Sequence, residues 1–357
     1  MKDKEFTKEL NLKCAFKRKP ESDLKSALKL HNKRQLESTY FAITKEDIEE
    51  SKQKLINKIY EELTKEEVFV RLLNTLIENE YQLLTKIIKN DGILKDNYIK
   101  YVDYRYLSEL GIIYLFNFEN NLHIIIPKEI MDIIKKIDIN NYQDKVSENT
   151  KLFDLCRSMI NLYGVVPFTR YLEACSKYYN CENIKDIDLD CIFVQDRQFS
   201  IEIVKTDNDI YMVKDEYLNE EDDTQKTIIS KIISKLEDDL FYMDFKEITL
   251  EELLKYKEMY DYVETKAITK FNEYIKEKNI YIEDFDLLMG AIVTTFRKDY
   301  NEGILFLNDM FEEEGFNIDE NNIDEILEYI NDIVNEIPVW GNKGWTNKEI
   351  ILRKCYE

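Results

Sequence analysis

Two apolar, β-rich runs, Ile112 to Phe118 and Leu122 to Ile126, flank the polar Glu119-Asn120-Asn121, and this pairing constrains the fold more than any other stretch. Aliphatic and aromatic residues on both sides of a short polar turn predict a hairpin. Before it, Tyr106, Leu107 and Leu110 keep helical spacing until Gly111 stops them. After it, Pro127 opens a new helix, because its missing amide hydrogen costs nothing at the first helical position. Helix, two-stranded wing, helix is the closing half of a winged-helix module. The stretch contains no nucleophile, metal cluster or glycine-rich phosphate loop, so it implies an architecture rather than a chemistry.

Upstream, Val68, Leu72, Leu73, Leu76 and Ile77, then Tyr81, Leu83, Leu84, Ile87 and Ile88, form an apolar helical stripe that Asn90-Asp91-Gly92 ends. Residues 65–138 are therefore expected to form one winged-helix-like module. Asp138 to Asn149 is polar and asparagine-rich, and is read as a linker. A second series then begins. Leu152, Phe153, Cys156, Met159 and Ile160 share a helical face, Gly164 breaks it, and Pro167 starts another helix, with a third, short one expected at Ile187 to Phe193. Alternating strands at Phe199 to Lys205 and Ile210 to Lys214 make a second wing, so residues 150–218 form a second module in tandem. From 224 to 357 the pattern is helical, with Thr249-Leu250-Glu251-Glu252 as a capping box. The expected fold class is mainly α with small β-hairpins: two tandem winged-helix-like modules followed by an α-helical C-terminal domain.

Composition agrees, since 44% hydrophobic and 34% charged residues with only 8 Gly and 4 Pro are the balance of a mainly helical protein. Lys, Asn, Ile and Tyr are abundant in the manner of A/T-rich coding, so the 24 tyrosines carry no functional weight. The six cysteines match no zinc spacing and read as reduced thiols. There is no apolar leader and no run of roughly 18 apolar residues, so no membrane association is expected and the expected compartment is the cytoplasm.

The formal charge of −22 is unevenly placed. Residues 1–36 hold 11 Lys/Arg against 5 Asp/Glu, a net of +6, which leaves −28 for the rest. Residues 1–64 are expected to be a basic arm, with a mobile start, followed by two short helices. Lys17, Arg18, Lys19, Lys33 and Arg34 are the candidate phosphate contacts, while the acidic body disfavours broad duplex binding. Under a nucleic-acid reading, deleting residues 1–36 removes binding.

General acid–base chemistry has only His31 and His123 to draw on, neither in a motif, and strand alternation places His123 on an exposed wing face. Glu220-Glu221-Asp222-Asp223 and Glu312-Glu313-Glu314 read as solvated carboxylates, so no metal or cofactor is expected. In the second module the helix from Pro167 to Tyr178 could enter a major groove, but it offers only Arg170 and Lys177 beside Glu173. Its counterpart in the first offers Arg105 beside Asp103 and Glu109. Trp340 and Trp345, flanked by glycines near the end, are candidate partner contacts or anchors of the tail.

Two helices around the Ser38 to Lys45 connection, with Lys33 and Arg34 on the first, resemble the helix-extended-helix segment at the front of termination factor Rho. Leu110-Gly111-Ile112-Ile113 through Ile126-Pro127-Lys128-Glu129-Ile130, Leu162-Tyr163-Gly164-Val165-Val166-Pro167, and Trp340-Gly341-Asn342-Lys343-Gly344-Trp345-Thr346-Asn347-Lys348-Glu349 carry a wider resemblance. They resemble largely uncharacterised proteins of Gram-positive bacteria known by a Rho N-terminal-like segment or a C-terminal cysteine-rich SEC-C motif. That motif is absent here, and Asn335-Glu336-Ile337-Pro338 stands where the group has a polar run. The resemblance implies an architecture and no established activity. The expectation is a non-enzymatic cytoplasmic adaptor or regulator that binds a protein partner. The alternatives are a nucleic-acid-associated regulator using residues 1–36 and an acidic mimic of nucleic acid.

Overall fold

The computed structural model describes residues 2–180, 201–214, 228–237, 243–258, 262–282, 284–312 and 320–354. The helix expected at Ile187 to Phe193, the start of the second wing at Phe199, the acidic runs 220–223 and 313–314, and Cys181, Cys191 and Cys355 lie outside the described residues. The chain divides into two compact units, one built on residues up to Phe153 and the other on residues of 154–357.

The first unit contains α1 (Lys2–Cys14), α2 (Leu24–Leu28), α3 (Lys33–Thr44), α4 (Lys52–Leu63), α5 (Glu66–Leu73), α6 (Glu78–Ile88), β1 (Ile93–Lys95), α7 (Tyr101–Glu109), β2 (Tyr114–Phe118), β3 (Asn121–Ile125) and α8 (Lys128–Ile134). The expected hairpin is there, closed by a two-residue turn in which Glu119 and Asn120 both take positive φ, 52° and 58°. Such a turn twists with its strands, which is why it suits a two-residue loop. A third strand was not expected: β1 pairs with β3, giving an antiparallel sheet of order β1-β3-β2. Gly92, at φ +81°, turns the chain out of α6 so that Ile93 can start that strand.

The arm is not loose. Its α1 is pinned by Asn11, a fully buried side chain whose Nδ2 donates to the carbonyls of Asn97 (2.9 Å) and Ile99 (2.8 Å) and whose Oδ1 accepts from the Tyr104 hydroxyl (2.9 Å). Phe16 then bridges Phe116 in parallel and exchanges backbone bonds with Leu115 and Asn117, covering the outer edge of β2. Ala15, Leu24, Ala27, Leu28 and Leu36 join the same core as the hairpin, so deleting residues 1–36 would open that core as well as remove charge. The Ser38 to Lys45 connection expected between the two short helices is itself helical, since α3 runs through it to Thr44; the break comes earlier, at residues 29–32, where Asn32 caps α3 through a reciprocal bond with Gln35.

The expected linker is also ordered. Residues Ile139–Tyr142 form a 3-10 turn, and α9 (Gln143–Tyr163) starts directly after it. Val146 and Asn149 are fully buried, with Asn149 Nδ2 donating to the carbonyls of Asn74 (2.6 Å) and Leu76 (3.0 Å). Polarity signalled solvent, but this amide is satisfied inside the core by backbone acceptors.

The second unit takes the end of α9 and adds β4 (Val166–Pro167), α10 (Phe168–Tyr179), β5 (Ile201–Lys205), β6 (Ile210–Lys214), α11 (Ile228–Leu236), α12 (Leu250–Leu254), α13 (Lys266–Glu277), α14 (Phe285–Lys298), α15 (Tyr300–Glu312), α16 (Glu320–Glu336) and α17 (Asn347–Lys354). Its sheet is again three-stranded and antiparallel, in the order β4-β6-β5. Both sheets therefore pair their first strand with their last. One core gathers α13 to α16 around Phe271, Ile292, Phe296, Ile330 and Ile333; another holds Val165, Tyr211, Val213, Ile229, Ile232 and Trp340. The fold is thus mainly helical with two small sheets.

Candidate functional site

The five cationic candidates have different surroundings. Lys17, Arg18 and Lys19 are exposed in the turn after Phe16, with Arg18 held by Glu21 at 2.7 Å. Lys33 is paired with Glu37 at 3.3 Å. Arg34 borders a groove whose other walls carry Glu37, Asp47 and Glu49. Lys17 and Lys19 make no ion pair among the described residues. Any phosphate approaching Arg34 would meet three carboxylates, a poor anion site.

The charge follows the two halves. Residues 1–153 carry 27 Lys/Arg against 26 Asp/Glu, a net of +1, whereas residues 154–357 carry 23 against 46, a net of −23. On α10 the two cations are already engaged: Arg170 lies 3.4 Å from Glu173 and 3.8 Å from Glu247, and Lys177 lies 3.0 Å from Glu247. Hydrogen bonding to Lys177 holds the Glu247 carboxyl below the usual range. On α7 the Arg105 guanidinium sits over the Tyr101 ring at 5.6 Å, and burial pushes the nearby Asp103 carboxyl up.

The tail residues are tied into the second unit. Trp340 is 1% exposed and donates from Nε1 to the Asn161 carbonyl at 3.0 Å. Its ring lies flat against Gly164, where a Cβ would come within 2.3 Å of Cδ2; Gly344 packs in turn on Tyr163, where a Cβ would meet Cε1 at 2.6 Å. The motifs Leu162 to Pro167 and Trp340 to Trp345 are therefore two sides of one joint. Asn161 locks it further, donating from Nδ2 to the carbonyls of Tyr256 (2.7 Å) and Glu258 (3.3 Å). Trp345 is partly exposed: Nε1 donates to the Asp244 carbonyl at 2.8 Å, and the Arg353 guanidinium stacks 3.9 Å from the ring centre. The helix α17 behind it lies within the region expected to be helical and starts at a capping box that was not singled out there, Thr346-Asn347-Lys348-Glu349: Thr346 N–H donates to Glu349 (2.9 Å) and Glu349 N–H to the Thr346 hydroxyl (3.1 Å).

His123 does not lie on the exposed wing face where strand alternation placed it. His123 is 7% exposed, because the central strand β3 is buried on both faces, and its ring meets Phe118 edge-on at 6.1 Å. Burial, with Lys95 nearby, lowers its pKa. His31 sits between the rings of Phe16 (5.3 Å) and Tyr114 (5.6 Å), with Nδ1 buried and lacking a hydrogen-bond partner among the described residues. Burial, aided by the charge of Lys52, brings its pKa down to about 4, so the ring is neutral near pH 7.

The groove beside Arg34 has a volume of about 690 Å³ and lies between α3 and the extended link before α4, lined by Arg34, Glu37, Ser38, Phe41, Asp47, Ile48 and Glu49. Lys45, at φ +62°, ends α3 and swings the link away from it, which opens the groove. Among the described residues no three His, Cys, Asp or Glu side chains gather as a metal site, and no helix is long and apolar enough to cross a membrane. Comparison with protein-family models, curated proteins and solved structures returned no match.

Proposed function

We propose that this chain is a non-enzymatic cytoplasmic adaptor or regulator, built on two winged-helix-like modules, that binds a protein partner. Each unit supports the module reading with a helix, a short strand, a helix and then a hairpin, the first strand pairing with the last. The observation that carries the partner class is the engagement of Arg170 and Lys177 by Glu247 within a half of net charge −23. A helix whose cations are already held by a carboxylate, in so acidic a setting, suits a protein surface better than a phosphate backbone.

Capture from native lysate, with and without nuclease, tests this. A partner retained after nuclease and released by salt supports it; loss of all bound material with nuclease refutes it. One observation favours a second reading, a nucleic-acid-associated regulator: Lys17 and Lys19 are exposed and unpaired among the described residues. Because residues 1–36 are part of a core, Lys17→Glu/Lys19→Glu is a cleaner test of it than deletion.

A further inference from the structure

The groove between α3 and the link to α4 joins an apolar floor to an acidic rim. Phe41 and Ile48 are partly exposed along it, and Asp47 and Glu49 stand exposed with no ion pair among the described residues. Glu37 adds a third carboxylate, shared with Lys33 at 3.3 Å. Arg34 is the single cation among the lining residues, and it too is unpaired among the described residues. We infer that this groove is a docking site for an extended peptide segment of the partner bearing lysine or arginine, a proposal that rests on the protein-partner reading above.

Charge complementarity selects the occupant. A lysine or arginine side chain has an aliphatic stem that can lie on Phe41 and Ile48 while its head reaches water and the carboxylates of Asp47 and Glu49. An acidic peptide or a phosphate backbone would gain Arg34 but face all three carboxylates, and a purely apolar segment would leave them without a partner. Arg34 then serves as a selectivity element, repelling a segment whose cations are out of register and donating to a carbonyl or carboxylate beside the correct one.

Fluorescence anisotropy with the full chain tests this, using three labelled probes: a short lysine-rich peptide with interspersed apolar residues, the same peptide with glutamate for lysine, and a single-stranded oligonucleotide. The lysine peptide is expected to bind saturably and weaken as salt rises. Asp47→Asn/Glu49→Gln, an isosteric change at exposed positions, is expected to weaken it about tenfold, as for two exposed ion pairs in the upper half of their usual range. The inference is overturned if the lysine peptide does not bind, if it binds the variant equally well, or if the glutamate peptide or oligonucleotide binds and is lost in Arg34→Ala. Lysate capture that survives both nuclease and Asp47→Asn/Glu49→Gln would remove the groove and leave the protein-partner reading in place, whereas capture abolished by nuclease would remove that reading itself.

Discussion

Alanine at position 164 meets two separate obstacles. Gly164 has φ +74°, where an L-residue is strained by about 1–2 kcal/mol. Its Cβ would also lie 2.3, 2.5 and 2.6 Å from Cδ2, Cγ and Cε3 of Trp340, far inside contact distance, and relieving such overpacking costs about 1–3 kcal/mol. Gly164→Ala should therefore destabilise the chain by about 2–5 kcal/mol. Trp340→Ala should cost about 3–5 kcal/mol, the usual effect of emptying a large core site, because its ring is 1% exposed and bonded to the Asn161 carbonyl. With the indole gone the clash has no partner, so Gly164→Ala in the Trp340→Ala background should cost only the backbone strain of about 1–2 kcal/mol. The cycle should thus show a coupling of about 1–3 kcal/mol. Urea unfolding followed by far-ultraviolet circular dichroism measures each corner. Equal costs for Gly164→Ala in the two backgrounds would refute the joint between Leu162–Pro167 and the tail.

His31 makes stability depend on pH in a defined direction. Its pKa is about 4 folded and 6.5 when free, so between these values the unfolded chain binds the extra proton. The contribution is complete above about pH 6.5 and is lost as pH falls toward 4, by up to about 3 kcal/mol, and His31→Phe should flatten that part of the denaturation profile. An unchanged profile in the variant would contradict the burial of the ring. Asn11→Ala should cost about 3 kcal/mol, since three hydrogen bonds vanish and the Asn97 and Ile99 carbonyls lose their donor; a cost below about 1 kcal/mol by urea titration would disprove the pin on α1. Thr346→Ala should cost about 1 kcal/mol and raise amide exchange in α17, and unaltered exchange there would deny the cap.

The hairpins and most helices could be read in the sequence because each has its own periodicity and its own boundary signal: the polar Glu119-Asn120 turn, the stops at Gly92 and Gly164, and the Thr249 capping box that starts a helix. What could not be read depends on partners distant in the chain. Strands β1 and β4 span three and two residues, too short for alternation, and exist because β3 and β6 offer them an edge. Asn11, Asn149 and Asn161 repeat one device, a buried amide donating to the carbonyls of residues n and n+2, yet nothing distinguishes these asparagines in the sequence from the many on the surface. The same ambiguity made residues 138–149 look like a linker, while His123 looked exposed because alternation assumes one solvated face and β3 is buried on both. Gly164 was visible as a helix stop, but its contact with Trp340 was not, because a missing side chain carries no signal about what fills the space. The candidate cations were visible as types; that Arg18 and Lys33 are held by Glu21 and Glu37, and that Arg34 faces Asp47 and Glu49, followed only from the fold.

The most direct test of a protein-partner role is a salt titration of the full chain against duplex and single-stranded oligonucleotides, alongside Lys17→Glu/Lys19→Glu. Neither protein is expected to bind saturably near physiological salt, and the two are expected to behave alike. Saturable binding that falls steeply with salt and disappears in the Lys17→Glu/Lys19→Glu variant would contradict that role.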